Sequence, residues 1–105
     1  MLYLARMAVN LPDHLTADEA AELAAAETAR AQELQRSGQW RHIWRVVGRT
    51  ENYSVFDVED HDALHRLFQS LPFFPHLDIE LIALAAHPSA LPEGDPVVGR
   101  SVIQP

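Results

Sequence analysis

Apolar and polar positions alternate at period two from the start of the chain. Leu2 to Val9 reads as a strand with Tyr3, Ala5, Met7 and Val9 on one side, and Leu11-Pro12-Asp13-His14 breaks it. Thr16 followed by Glu19 matches a capping box and predicts the start of a long Ala-rich helix running to about Gln35. Ser37-Gly38 then supplies a left-handed C-cap. Period two returns at once. Trp40, His42, Trp44 and Val46 are expected on one face of a second strand, with Arg41, Ile43, Arg45 and Val47 on the other. Gly48 to Asn52 reads as a hairpin loop, and Tyr53 to Val58, rich in aromatic and β-branched residues, as the returning strand. Asp60 is suited to cap a second helix over Asp62 to Ser70, where Leu64, Leu67, Phe68 and Leu71 form a stripe at helical spacing. Pro72 and Pro75 end it, and Leu77 to Ala85 alternates again as a fourth strand.

The order β-α-β-β-α-β is the split βαβ pattern of an α+β, ferredoxin-like domain, with two helices on one face of an antiparallel sheet. That arrangement leaves the other sheet face without a cover of its own. Several strands here carry large apolar groups on both sides, so the second face is expected to meet another subunit. From Leu91 onward Pro, Gly and polar residues interrupt every period. Residues 1–92 are therefore read as the domain, and 93–105 as a mobile tail.

Composition narrows the functional classes. A chain of 105 residues makes one domain with a modest core. Its formal net charge of -7 leaves no basic stripe for nucleic acid. The lack of cysteine removes disulfides, thiolate nucleophiles and Cys-based zinc sites. No apolar run approaches the roughly 20 residues of a membrane span. No basic segment followed by an apolar one marks a signal peptide, so the cytoplasm is the expected location.

Within this frame Glu27 is the most informative charge. On the first helix it falls inside the apolar stripe of Ala20, Leu23, Ala24, Ala31 and Leu34 and points toward the sheet. A carboxylate there either reaches past the helix margin to solvent or an arginine, or stands partly desolvated as a general base. Spacing leaves both readings open. Arg41 and Arg45 are expected to share a face, from which both can grip one carboxylate in bidentate fashion. They can equally pair with Glu51, Asp57 or acids of a neighbouring subunit. His42, between two tryptophans, reads as a hydrogen-bonded histidine or as a catalytic partner. Tyr53 and Asn52 can orient a ligand oxygen through phenol and amide groups, or serve only as strand and turn residues. His61 and His65 share a helical face but lack the intervening Glu of a zincin motif, and no metal is expected. No Gly-rich phosphate loop or nucleophile elbow is present.

Trp40-Arg41-His42-Ile43-Trp44-Arg45 and Asn52-Tyr53-Ser54-Val55-Phe56-Asp57-Val58 carry a resemblance to the muconolactone Δ-isomerase family of the 3-oxoadipate pathway. It continues through Leu71-Pro72-Phe73-Phe74-Pro75, Asp78-Ile79-Glu80 and His87-Pro88-Ser89, and begins with Met1-Leu2, Met7 and Leu11-Pro12. The resemblance implies a cofactor-free shift of a ring double bond in (+)-muconolactone, within catechol catabolism. It implies Glu27 as the leading catalytic residue; the demands of the double-bond shift, not the resemblance, suggest His42 and Tyr53 as its catalytic partners and Arg41, Arg45 and Asn52 as residues binding the lactone. It also implies a dimeric α+β-barrel type homo-oligomer, assembled as a decamer. A 5-chloromuconolactone dehalogenase on the same scaffold, and a non-catalytic ferredoxin-like oligomer that binds a ligand, are the alternatives.

Overall fold

The computed structural model describes residues 1–92, 94 and 95. Except for Gly94 and Asp95, the expected tail over 93–105 lies outside the described residues. The elements run β1 (Leu2–Val9), α1 (Ala17–Arg36), β2 (Trp40–Arg45), β3 (Glu51–Asp57), α2 (His61–Gln69), a 3-10 turn (Phe74–His76) and β4 (Leu77–Leu84). The strands make one antiparallel sheet in the order β2-β3-β1-β4. This is the ferredoxin-like α+β architecture that the element order predicts.

Local chemistry sets the helix boundaries. The Thr16 side chain accepts from the Glu19 N–H at 3.1 Å, and the Glu19 carboxylate accepts from the Thr16 N–H at 2.9 Å. Those bonds also hold the Glu19 carboxyl below its ordinary range. At the other end Gly38 takes a positive φ of 85°, which lets the chain leave α1 and enter β2 directly. Asp60 caps α2 by accepting from the Ala63 N–H at 2.7 Å.

The core lies between the helices and one sheet face. Tyr3, Ala5 and Met7 of β1 are buried there with Trp40, Phe56 and Val58, under Ala31 and Leu34 of α1 and Leu64, Leu67, Phe68 and Leu71 around α2. Trp40 tilts against Phe56 with ring centroids 4.9 Å apart, and Phe68 meets Phe56 edge-on. The other sheet face has no covering element. Trp44, Tyr53, Ile82 and Leu84 are exposed on it, beside half-buried Leu2, Leu4 and Val55. Arg6 stands among them, bonded to Glu80 at 2.9 Å and near Glu51 at 3.4 Å and Asp78 at 3.5 Å.

The structure departs from the predicted alternation in β2. Trp40 pairs with Phe56, yet His42 pairs with Val55 and Ile43 with Ser54, so the register shifts between Trp40 and His42. A bulge at this point inserts one residue and reverses the sidedness of everything after it. Trp40, Ile43 and Arg45 therefore face the helices, and His42 and Trp44 face the open side. The boundary of β3 also moves: it begins at Glu51, while the loop before it turns at Gly48, whose φ is 79°. The 3-10 turn after Pro72 was not foreseen from the proline pattern.

Candidate functional site

Between α1 and the helix-side face of β2 and β3 lies an open cleft. Its origin is a change of contact along α1. Ala31 and Leu34 near the carboxy end are buried against the sheet, whereas Ala20, Leu23 and Glu27 are only half-buried and Ala24 is exposed. The amino half of the helix thus stands away from the sheet. Two adjoining cavities of about 280 Å³ each share Val9, Ile43, Arg45, Asn52 and Phe73. One adds Glu27, Gln32, Gln35, Met7, Trp40 and Leu77, and the other adds Thr50 and Glu51.

Glu27 is the carboxylate of this cleft. It is half-buried, and its Oε1 accepts a hydrogen bond from the main-chain N–H of Phe73 at 2.9 Å. Burial pushes its carboxyl above the ordinary value, and the Phe73 bond opposes that shift without cancelling it. Glu27 makes no ion pair among the described residues. The side chain is therefore a partly desolvated carboxylate rather than half of a salt bridge.

Arg45 and Asn52 stand across the cleft. Arg45 is exposed, donates from Nη1 to the Arg49 carbonyl at 3.3 Å, and has no carboxylate partner among the described residues. Its guanidinium is fixed at one corner and free toward a ligand. Asn52, opposite Arg45 in the sheet, accepts from the buried Ser54 hydroxyl at 2.7 Å through its side-chain oxygen. Its amide N–H groups are left to donate. A carboxylate, a cation and a neutral donor therefore line one apolar-walled space.

Arg41, His42 and Tyr53 lie elsewhere. The bulge in β2 means that Arg41 does not share a face with Arg45, as strict alternation had suggested. Arg41 instead approaches Asp57 at 3.6 Å, and both are about half exposed. His42 stacks on Trp44 with ring centroids 5.1 Å apart, and Tyr53 pairs with Trp44 across the ladder. These side chains form an aromatic and basic patch on the open sheet face, on the opposite side from Glu27. His61 shares a hydrogen bond with the Tyr3 hydroxyl, while His65 meets Phe74 edge-on. Sequence reasoning missed Phe73 and Gln32 as cleft residues. The apolar run containing Phe73 showed only a helix stop, and Gln32 lies on a face of α1 that periodicity assigns to solvent.

Comparison with known proteins decides the family. A family model described as muconolactone delta-isomerase matches residues 1–90. The chain belongs to the muconolactone Δ-isomerase family. Muconolactone Delta-isomerase of Cupriavidus pinatubonensis is 50% identical over 91 residues, 87% of this chain and 99% of that protein. The corresponding protein of Acinetobacter baylyi is 46% identical over 95 residues, 90% of this chain and 99% of its relative. A crystal structure of muconolactone isomerase superposes with a TM-score of 0.83 at 46% identity, covering 91% of this chain and 100% of that one. The fold extends further: 5-chloro-2-hydroxyhydroquinone dehydrochlorinase from Burkholderia phenoliruptrix matches with a TM-score of 0.61 at 16% identity, covering 83% of this chain and 96% of that one.

Proposed function

We infer that the protein is a muconolactone Δ-isomerase, converting (+)-muconolactone to the 3-oxoadipate enol-lactone in aromatic catabolism. The observation that carries the catalytic assignment is Glu27: a half-buried carboxylate without an ion-pair partner among the described residues, facing Arg45 and Asn52 across one cleft. The reaction asks for little more. A proton leaves C4 of the lactone ring, charge spreads through the ring onto the carbonyl oxygen, and a proton returns at C2. Glu27 takes the first proton as a carboxylate and returns one as a carboxylic acid, so a basicity raised by burial suits both halves. The Asn52 amide donates to the oxygen on which charge develops. Arg45 holds the substrate's side-chain carboxylate as a charge-assisted pair in the cleft that Glu27 lines.

Arg41, His42 and Tyr53 enter this reading through assembly. Their patch, with Trp44, Ile82 and Leu84, is proposed to meet a second copy of the chain, which supports a homo-oligomer. A decamer and a cytoplasmic location belong to the same proposal and rest on the family alone. The experiment is direct. Purified protein is mixed with (+)-muconolactone, and the double-bond shift is followed by ultraviolet absorbance, with the product identified by proton NMR. Turnover to the enol-lactone is expected. Lactone binding without turnover, or chloride release from 5-chloromuconolactone with no action on muconolactone, would overturn the reading.

A further inference from the structure

The hydrogen bond between Glu27 and Phe73 joins residues 46 positions apart and is the only hydrogen bond recorded to the Glu27 carboxylate among the described residues. Its donor is set by the local sequence. Pro72 and Pro75 have no N–H to give, and their rings restrict the backbone. The Phe74 N–H is already bonded to the Leu71 carbonyl at 2.9 Å. Between Pro72 and Pro75 this leaves one uncommitted donor, the N–H of Phe73, and it is the one that meets Glu27. Phe73 is itself held: its carbonyl accepts from the His76 N–H at 2.8 Å. A rigid segment therefore presents a single fixed donor to a flexible carboxylate at the wall of the cleft.

We propose that the main-chain N–H of Phe73 is the positioning group of the Glu27 carboxylate, fixing Oε1 and leaving Oε2 as the oxygen that exchanges protons with the lactone. This rests on the reading of Glu27 as the proton carrier. A carboxyl oxygen engaged by an N–H donor keeps its acceptor role in both protonation states, so the proton gained from C4 resides on Oε2. The same oxygen then delivers a proton to C2, with no rotation of the carboxyl group between the two steps. The bond also favours the charged form of Glu27 against the cost of burial. The other charged groups toward the cleft are Arg45 on β2 and Glu51 at the start of β3. Arg30, on the next turn of α1, is engaged by Glu33 and Ser70.

The test removes the donor. Phe73 has φ −79° and ψ −6°, a φ that proline accepts, so Phe73→Pro deletes the N–H; because the Phe74 N–H bond to Leu71 makes Phe73 the third residue of a tight turn, the new proline also pushes Pro72 away from the helical region. Phe73→Leu keeps the N–H and removes only the ring. In Phe73→Pro the acid limb of the kcat pH profile is expected to move up by about one pH unit, because the ionised carboxylate has lost its donor. In Phe73→Leu that limb is expected to stay in place. A folded Phe73→Pro variant with an unmoved limb overturns the proposal. Should that variant fail to fold, the parent protein decides. The Phe73 amide proton, read in TROSY spectra of the free protein, is expected to titrate with the midpoint of the kcat/KM acid limb and to stop titrating in Glu27→Gln. A pH-independent Phe73 amide overturns the proposal. Full activity of Glu27→Gln would instead remove the functional reading beneath it, while an inactive Glu27→Gln beside an unmoved Phe73→Pro limb removes the positioning role alone.

Discussion

Replacing Arg45 with Met tests whether the cleft reads a carboxylate. Met keeps most of the stem length and the apolar contacts while removing the guanidinium. Arg45 has no ion-pair partner among the described residues, so the change leaves no partner carboxylate unpaired there. Its loss should therefore fall on the ligand more than on the fold. Hydrogen bonds to charged groups contribute about 1.5–3 kcal/mol. Arg45 is exposed, so screening places the effect near the lower end, about 1.5–2 kcal/mol, or roughly 10- to 30-fold in affinity. The substrate carboxylate stays charged through both proton transfers, so its pair with Arg45 is worth about the same in the bound lactone and in the transition state. KM is therefore expected to rise by roughly 10- to 30-fold with kcat changed by less than about threefold, the pattern of lost uniform binding. Initial rates over a range of lactone concentrations measure both constants. Added salt should raise KM in the parent and have little effect on Arg45→Met. A KM within about twofold of the parent at low salt would refute the assignment of Arg45 to the carboxylate.

The remaining expectations are smaller in scope. Asp60→Ala removes the cap of α2 and is expected to lower unfolding stability by about 1 kcal/mol, read from urea melts, with turnover per folded protein unchanged. Ile82→Glu places a charge on the open sheet face, where Ile82 is 57% exposed in the single chain, and should reduce the assembly to smaller species in sedimentation. An unchanged sedimentation coefficient would show that this face is not an interface. Burial raises the Glu27 carboxyl above its unfolded value of 4.5, so its ionised form costs stability above the folded pKa, and that cost fades as pH falls below the unfolded value. Glu27→Gln is accordingly expected to melt higher than the parent near pH 8 and to lose that margin near about pH 4. A variant that melts below the parent at both extremes would contradict the desolvation argument.

The regular elements were legible because each depends on short-range signals. The capping box at Thr16 and Glu19, the Asp60 cap and the stripe of Leu64, Leu67, Phe68 and Leu71 all depend on spacings within two turns. The antiparallel sheet with both helices on one face followed from the βαββαβ pattern. Glu27 was visible as a charge in an apolar stripe. The sidedness of β2 was not legible, because one inserted residue leaves the composition of the strand unchanged while exchanging its faces beyond the bulge. That single shift moved Arg45 into the cleft beside Glu27, and set His42 and Trp44 on the open side. The contact from Phe73 to Glu27 was equally hidden. It is made by a main-chain N–H, which no residue type announces, across 46 positions of sequence.

The central claim is that Glu27 carries the proton, and turnover of (+)-muconolactone by Glu27→Gln tests it most directly. Gln keeps the shape, and its carbonyl oxygen can still accept from the Phe73 N–H, so the variant should remain folded and assembled. It lacks the basic oxygen. A positioned acid or base contributes about 10²–10⁴ to the rate, and kcat is expected to fall by that factor with circular dichroism and sedimentation unchanged. A folded Glu27→Gln variant that turns over within about threefold of the parent would contradict the account and place the proton transfer on another group.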